Sequence, residues 1–262
     1  MTLTTAVSWL FVPATRPERF AKATASGADA VIIDLEDAVA EADKATAREA
    51  LRAHWPADSP VPVVVRVNAA GTPEAAADLA LCRELSPAAV VLPKAESARD
   101  VLAVGGPVLP LIETARGLVN LAEIAAAEPV VRLLFGSIDL ALDLGVTDDA
   151  ALDPSRSDLV RWSVVSSLPA PVDGVSTAIR DTEVVTRDAT RAKGWGFGGK
   201  LCIHPVQVPL VHAAFAPSAA EVDWARRVLA VDLDGAASLD GEMIDRPVVE
   251  RARRIVREAE RA

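Results

Sequence analysis

Eight short apolar runs alternate with eight alanine-rich, charge-bearing segments within residues 1–215, and no G-x-G-x-x-G turn follows the first run. These observations predict an α/β fold, a closed (β/α)8 barrel of the TIM-barrel class with a short C-terminal helical extension. Strict alternation implies parallel strands, and eight units in this length favour a closed barrel over an open doubly wound sheet. At 262 residues, with 51% hydrophobic and 24% charged residues, the chain has enough apolar material for a large core.

The strands are expected at residues 9–13, 30–36, 62–68, 88–94, 108–113, 131–139, 172–176 and 200–204, where β-branched and other apolar residues cluster in strand-length runs. Helices are expected at 17–26, 41–53, 73–85, 97–104, 116–127, 155–167, 181–193 and 206–214. Gly71 or Thr72 is a plausible start for the segment 73–85, and Gly194 a plausible end for 181–193. Beyond the barrel domain, 1–215, residues 216–262 form the extension. Ser218 followed by Glu221 has the spacing of a capping box. A small-residue loop at 235–241 and a final basic helix at 247–261 complete it. This tail is too short for a separate domain, and either packs on its own barrel or reaches a neighbouring subunit.

A net charge of −10, from 37 acids against 27 bases, argues against general affinity for nucleic acid or anionic membrane. An anionic ligand must therefore be held by local basic groups. The first residues lack a basic region ahead of an apolar stretch, and no apolar run approaches the roughly 18 residues of a membrane span, so a cytoplasmic location is expected. Cys82 and Cys202 lie far apart without metal-ligand spacing and read as buried thiols.

In a barrel of this kind the chemistry gathers where the strands end. Those ends supply Arg16, Asp34, Glu36, Arg66, Asn68, Lys94, Glu113, Asp139 and His204. Glu113 and Asp139 close successive apolar runs. A carboxylate there either shares a hard cation such as Mg2+, which takes one or two protein carboxylates and keeps open positions, or pairs with Arg116 or Arg132. Arg66 follows the parity of Val64, and its permanent charge calls for a rim carboxylate, a substrate carboxylate or an enolate oxygen. The Asp34, Glu36 and Asp37 cluster either holds metal-bound water or pairs with Arg16 and Arg66. Lys94 is open to Schiff-base chemistry or to pairing with Glu96. His204 is either a base or a hydrogen-bonded structural group.

Eight ordered motifs add a resemblance. They are Leu10-Phe-Val-Pro-Ala-Thr-Arg-Pro-Glu-Arg-Phe20, Asp34-Leu-Glu-Asp-Ala-Val39, Val65-Arg-Val-Asn68, Val91-Leu-Pro-Lys-Ala-Glu96, Leu111-Ile-Glu-Thr114, Phe135-Gly-Ser-Ile-Asp-Leu140, Gly199-Lys-Leu-Cys-Ile-His-Pro205 and Asp240-Gly-Glu-Met-Ile-Asp-Arg-Pro247. Over essentially its whole length the chain resembles the citrate lyase beta-subunit-like branch of the HpcH/HpaI aldolase superfamily. The resemblance implies a homotrimeric or hexameric, Mg2+-dependent lyase acting on acyl-CoA thioesters and small keto acids of the malyl-CoA, citramalyl-CoA or citryl-CoA type. It implies Glu113 and Asp139 as metal ligands, with Glu113 also at the substrate. Arg66 would stand at the reacting oxygens, and Phe11, Arg16 and Lys22 at the CoA portion. Asp245 would serve as an acid/base inserted over a neighbouring subunit's barrel, while Glu36 is a catalytic candidate from the acid cluster itself. Thioester hydrolysis of malyl-CoA, class II aldol chemistry on a free hydroxy-keto acid, and a lyase subunit needing an acyl carrier partner are the alternatives. Ile138 and the Ser176-Thr-Ala178 run depart from the family's usual residues, while Asp181 remains; these departures bear on side-pocket shape and substrate choice.

Overall fold

The computed structural model of the chain describes residues 2–231, 237–239 and 242–260. It divides into two compact units, Met1–Ala214 and Phe215–Ala262.

The first unit is a closed barrel of eight parallel strands in sequence order, β1 (Ser8–Pro13), β2 (Ala30–Asp34), β3 (Val63–Arg66), β4 (Val90–Leu92), β5 (Val108–Ile112), β6 (Leu134–Phe135), β7 (Val172–Asp173) and β8 (Gly199–Cys202). β8 pairs back to β1, with Trp9 opposite Leu201, so no sheet edge is left open. Around it run α1 (Phe20–Thr24), α2 (Lys44–Ala53), α3 (Ala75–Leu85), α4 (Ala98–Ala103), α5 (Ala115–Val119), α6 (Leu121–Ala125), α7 (Ser137–Leu144), α8 (Asp153–Val165), α9 (Thr182–Trp195) and α10 (Gln207–Phe215). The predicted barrel is therefore the observed one. Among the described residues no helix is long and apolar enough to cross a membrane.

Side chains alternate along each strand, and the same parity from every strand fills the centre. Trp9, Ala30, Ile32, Val64, Ala89, Val91, Leu109, Leu111, Leu134, Val172 and Leu201 form that buried cluster. Each buried large aliphatic contributes about 2 kcal/mol. The other parity, Val31, Ile33, Val63, Val65 and Val90 among them, is also buried, as expected for parallel strands covered by helices.

Several expected boundaries move, each for a local reason. The run 131–139 is a strand only at Leu134–Phe135; the chain turns at Gly136, and Asp139 lies in the first turn of α7 instead of at a strand end. The apolar pattern continues across this turn, so hydrophobicity does not mark where pairing stops. The segment 116–127 is two helices because Asn120 leaves helical geometry between them, its amide donating to the Glu96 carbonyl at 2.7 Å. α3 begins after Glu74, not at Gly71 or Thr72; the Thr72 hydroxyl is turned to the Ala69 carbonyl. α9 passes through Gly194 and is closed by Gly196, whose φ of 96° is the left-handed geometry glycine adopts freely.

The second unit contains α11 (Ala219–Ala230), the hairpin β9 (Ala237–Leu239) and β10 (Glu242–Ile244), and α12 (Arg246–Ala259). Ser218 and Glu221 form the expected capping box. Ala225, Val228, Val249, Ala252 and Ile255 pack α11 on α12, and the Arg251 guanidinium lies 4.9 Å over the Trp224 ring. Part of the expected 235–241 loop lies outside the described residues.

Candidate active site at the carboxyl end of the barrel

Moving two residues on from an inward-facing position reaches the next inward-facing one. Ile32 is thus followed by Asp34, Val64 by Arg66, Leu111 by Glu113 and Trp9 by Phe11. Strand register sets Asp34 beside Arg66 and Ile112 beside Phe135. Phe11, Asp34, Arg66, Glu113 and Phe135, with Asp37, Gly136, Ser137, Ile138 and Asp139, line a cavity of about 420 Å³.

Arg66 is buried and held as a fork. Its Nε and Nη2 each donate to Asp34 at 2.7 Å, and Nη1 lies 2.9 Å from Glu36 and 3.2 Å from Asp37. Its guanidinium stacks 4.9 Å over Phe11. Burial works against this charge, but Asp34, Glu36 and Asp37 outweigh it and push the Arg66 pKa up. The rim carboxylates are thus the anions Arg66 meets, and Arg16 is not among their partners. Asp34 is itself fixed by the N–H groups of Glu36 and Ala38.

Glu113 is the opposite case. It is buried, and Oε1 accepts the Lys94 N–H at 2.8 Å. Burial, then the negative charges of Glu36 and Asp139, push its pKa up to about 8 against the partial relief from Lys94. Gly136 passes so close that a Cβ there would collide with the Glu113 side chain. Asp139 is half-buried and lines the same cavity; among the described residues it makes no hydrogen bond or ion pair. Arg116 pairs instead with Glu96, at 3.6 Å, and Arg132 lies elsewhere. Among the described residues no three His, Cys, Asp or Glu side chains form a cation cage. An open pair of oxygen ligands, one of them destabilised as an anion by its acidic neighbours, fits a hard divalent cation that completes its shell with water or substrate.

Lys94 pairs with Glu36 instead of Glu96. Burial opposes the ammonium, but Glu36, Glu113 and Asp37 raise its pKa, the reverse of what a Schiff-base amine needs. Glu36 is buried between Lys94 and Arg66, behind the cavity wall, and burial followed by Asp37 raises its pKa. Of the expected CoA-facing residues, Phe11 lines the cavity; Arg16 is exposed and bound to Glu18 at 2.7 Å, and Lys22 is exposed on α1. Asp245 is exposed and caps α12 within the second unit, accepting the Val248 N–H at 3.1 Å. His204 is exposed, its Nδ1 accepting the Val206 N–H, and both cysteines are buried with thiol pKa values pushed up to about 12 by burial.

Sequence reasoning missed a second cavity of about 390 Å³, which shares Ser137, Ile138 and Val175 with the first. Arg156 and Lys200 are buried in its wall against Asp173, with Arg156 also on Asp149 and Asp153. The only signal was Asp173 and Lys200 inside otherwise apolar strands.

Comparison with known proteins places this geometry. Residues 7–205 match the profile of the HpcH/HpaI aldolase/citrate lyase family. A citrate lyase subunit beta-like protein of Mycobacterium tuberculosis H37Rv is 44% identical over 261 residues, covering 96% of this chain and 94% of the relative. A (3S)-malyl-CoA thioesterase of Cereibacter sphaeroides KD131 is 35% identical over 272 residues, covering 97% and 94%. The crystal structure of protein CitE from M. tuberculosis, in complex with magnesium, acetoacetate and coenzyme A, superposes with a TM-score of 0.90 at 42% identity, covering 98% of this chain and 100% of that one. With a full-length relative at this identity and a family match across the barrel, the chain belongs to the HpcH/HpaI aldolase/citrate lyase family.

Proposed function

We propose that this protein is a Mg2+-dependent acyl-CoA lyase that cleaves or forms the carbon–carbon bond of a 3-hydroxyacyl-CoA. The observation that carries the reading is Glu113, a buried carboxylate surrounded by Glu36 and Asp139 at the cavity wall, which calls for a cation. The CitE structure with magnesium, acetoacetate and coenzyme A supports both the ion and the substrate class.

Glu113 and Asp139 are the residues to hold magnesium, which when bound would supply Lewis-acid polarisation of a hydroxy or keto acid. Arg66 faces the cavity with Nε and Nη2 held by Asp34 and Nη1 beside Glu36, so both acids set its position before substrate arrives. Its Nη1 contact to Asp37 is the replaceable one, since the Asp37 side chain is 55% exposed, and a thioester enolate oxygen takes that place. Glu36 stays behind the wall and acts from there, its charge bearing on Glu113 and its Oε2 lying beside Arg66 Nη1. Phe11 packs beneath the guanidinium and covers the cavity floor, while Arg16 and Lys22 bind the anionic part of CoA outside it. The Asp245 carboxylate, supplied by a second copy of the chain in a trimer or hexamer, exchanges the proton at the acyl carbon.

The test is a panel of malyl-CoA, citramalyl-CoA, methylmalyl-CoA and citryl-CoA with Mg2+, reading keto acid and free CoA separately. Glyoxylate, pyruvate or oxaloacetate released without free CoA is the expected result, and EDTA should abolish it. The thioesterase relative at 35% identity favours a second reading, hydrolysis, for which free CoA appears without keto acid.

A further inference from the structure

Three non-glycine residues among those described have positive φ: Ser86 at 53°, Lys94 at 48° and Ser167 at 56°. Ser86 closes α3 and Ser167 follows the end of α8, where a left-handed residue is ordinary helix termination. Lys94 terminates no helix. It comes two residues after β4, in a conformation glycine adopts without penalty and a side chain does not. Backbone strain kept at such a place calls for a reason.

The reason is geometric. In this conformation the Lys94 N–H donates to Glu113 Oε1 at 2.8 Å, while its Nζ reaches Glu36 Oε1. The other oxygen of Glu36 is buried 2.9 Å from Arg66 Nη1 and has no hydrogen bond of its own. One residue therefore links Glu113 to Arg66 through Glu36, and it does so without lining the cavity. Glycine could supply the N–H but not the ammonium; lysine in ordinary β geometry would not direct both.

We propose that Lys94 is a positioning residue: its N–H orients Glu113 toward the cation, and its ammonium holds Glu36 against Arg66, fixing the guanidinium relative to the metal. This rests on the metal reading above. Substitution separates the two arms. Lys94→Gly keeps the N–H and the left-handed backbone but loses the ammonium. Lys94→Arg restores a cation, and Lys94→Val, β-branched and disfavoured at positive φ, disturbs both arms.

The measurements are Mn2+ binding by electron paramagnetic resonance, and oxaloacetate binding by calorimetry at saturating Mn2+, on the full chain. Lys94→Gly should keep Mn2+ affinity within about threefold and lose about tenfold or more in oxaloacetate affinity, which Lys94→Arg should largely recover. Lys94→Val should lose about tenfold or more in Mn2+ affinity as well. If it fails to fold, the Gly and Arg pair still decides. Oxaloacetate affinity equal in wild type and Lys94→Gly, or no recovery in Lys94→Arg, overturns the inference and leaves the metal reading standing. A wild-type chain that binds no Mn2+ rejects the metal reading and this inference with it.

Discussion

The barrel buries a charge near each end, and the two are handled differently. Away from the cavity, Arg132 is fully buried and donates to the carbonyls of Ala170 at 2.6 Å, Ala6 at 2.7 Å and Leu3 at 3.2 Å, with Trp9 5.9 Å from its guanidinium. Among the described residues no acid bonds it directly, and burial brings its pKa down to about 9 despite Asp29. Its donors are spent on neutral acceptors that tie the N-terminal segment to the β6 and β7 loops. In the cavity, Glu113 has one N–H and acidic neighbours, and its pKa is raised. The first arrangement is complete within the chain and serves stability. The second leaves a buried carboxylate with one hydrogen bond among acidic neighbours, and that deficit is what the proposed metal site rests on.

Substitution at the two charges should separate activity from stability. Glu113→Gln should lower Mg2+-dependent turnover by about 10³-fold while leaving the metal-free chain folded. Turnover within tenfold of wild type would break the contrast. Arg132→Met should leave Mg2+ affinity unchanged and reduce stability by about 3 kcal/mol, because the carbonyls of Ala170 and Leu3 lose this donor and the buried Ala6 carbonyl keeps only the Trp9 indole N–H. Urea unfolding measures it, and a variant as stable as wild type would mean that water replaces the guanidinium at no cost.

The smallest expected effect sharpens the comparison through pH. A folded-state pKa for Glu113 of about 8, above the ordinary carboxylate value, means that the folded chain holds this proton more tightly than the unfolded one. The metal-free protein is therefore favoured at low pH and loses that contribution as pH rises from about 4.5 through about 8. Mg2+ competes with the same proton, so its thermal stabilisation should be slight at pH 6 and grow by a few degrees toward pH 9. Melting curves with Mg2+ and with EDTA provide the readout; a pH-independent Mg2+ effect would remove Glu113 from the ligand set.

Much of this site was legible in order of residues because strand parity is a local property. Once Val64 and Leu111 face inward, Arg66 and Glu113 must follow at the next step, and Asp34 follows Ile32 in the same way. Glu113 could be singled out with no knowledge of its partners because it closes an apolar run of strand length, where an acid is costly unless a cleft or a cation meets it. Where the chain leaves the strand, parity stops carrying information. Asp139 was expected on a strand and sits on a helix, and Arg16, expected near the acids, is taken by Glu18.

By itself, then, the sequence determined the barrel, the order of its strands and the identity of the inward charges at their ends, because alternation and burial depend on near neighbours. Only the tertiary structure decided which charges meet. Lys94 choosing Glu36 over Glu96, Asn120 splitting a helix by reaching Glu96, and Arg132 satisfying distant carbonyls all depend on loops of different strand–helix repeats of the barrel meeting in space. Such partners are separated by tens of residues in the chain, and no periodic pattern encodes them.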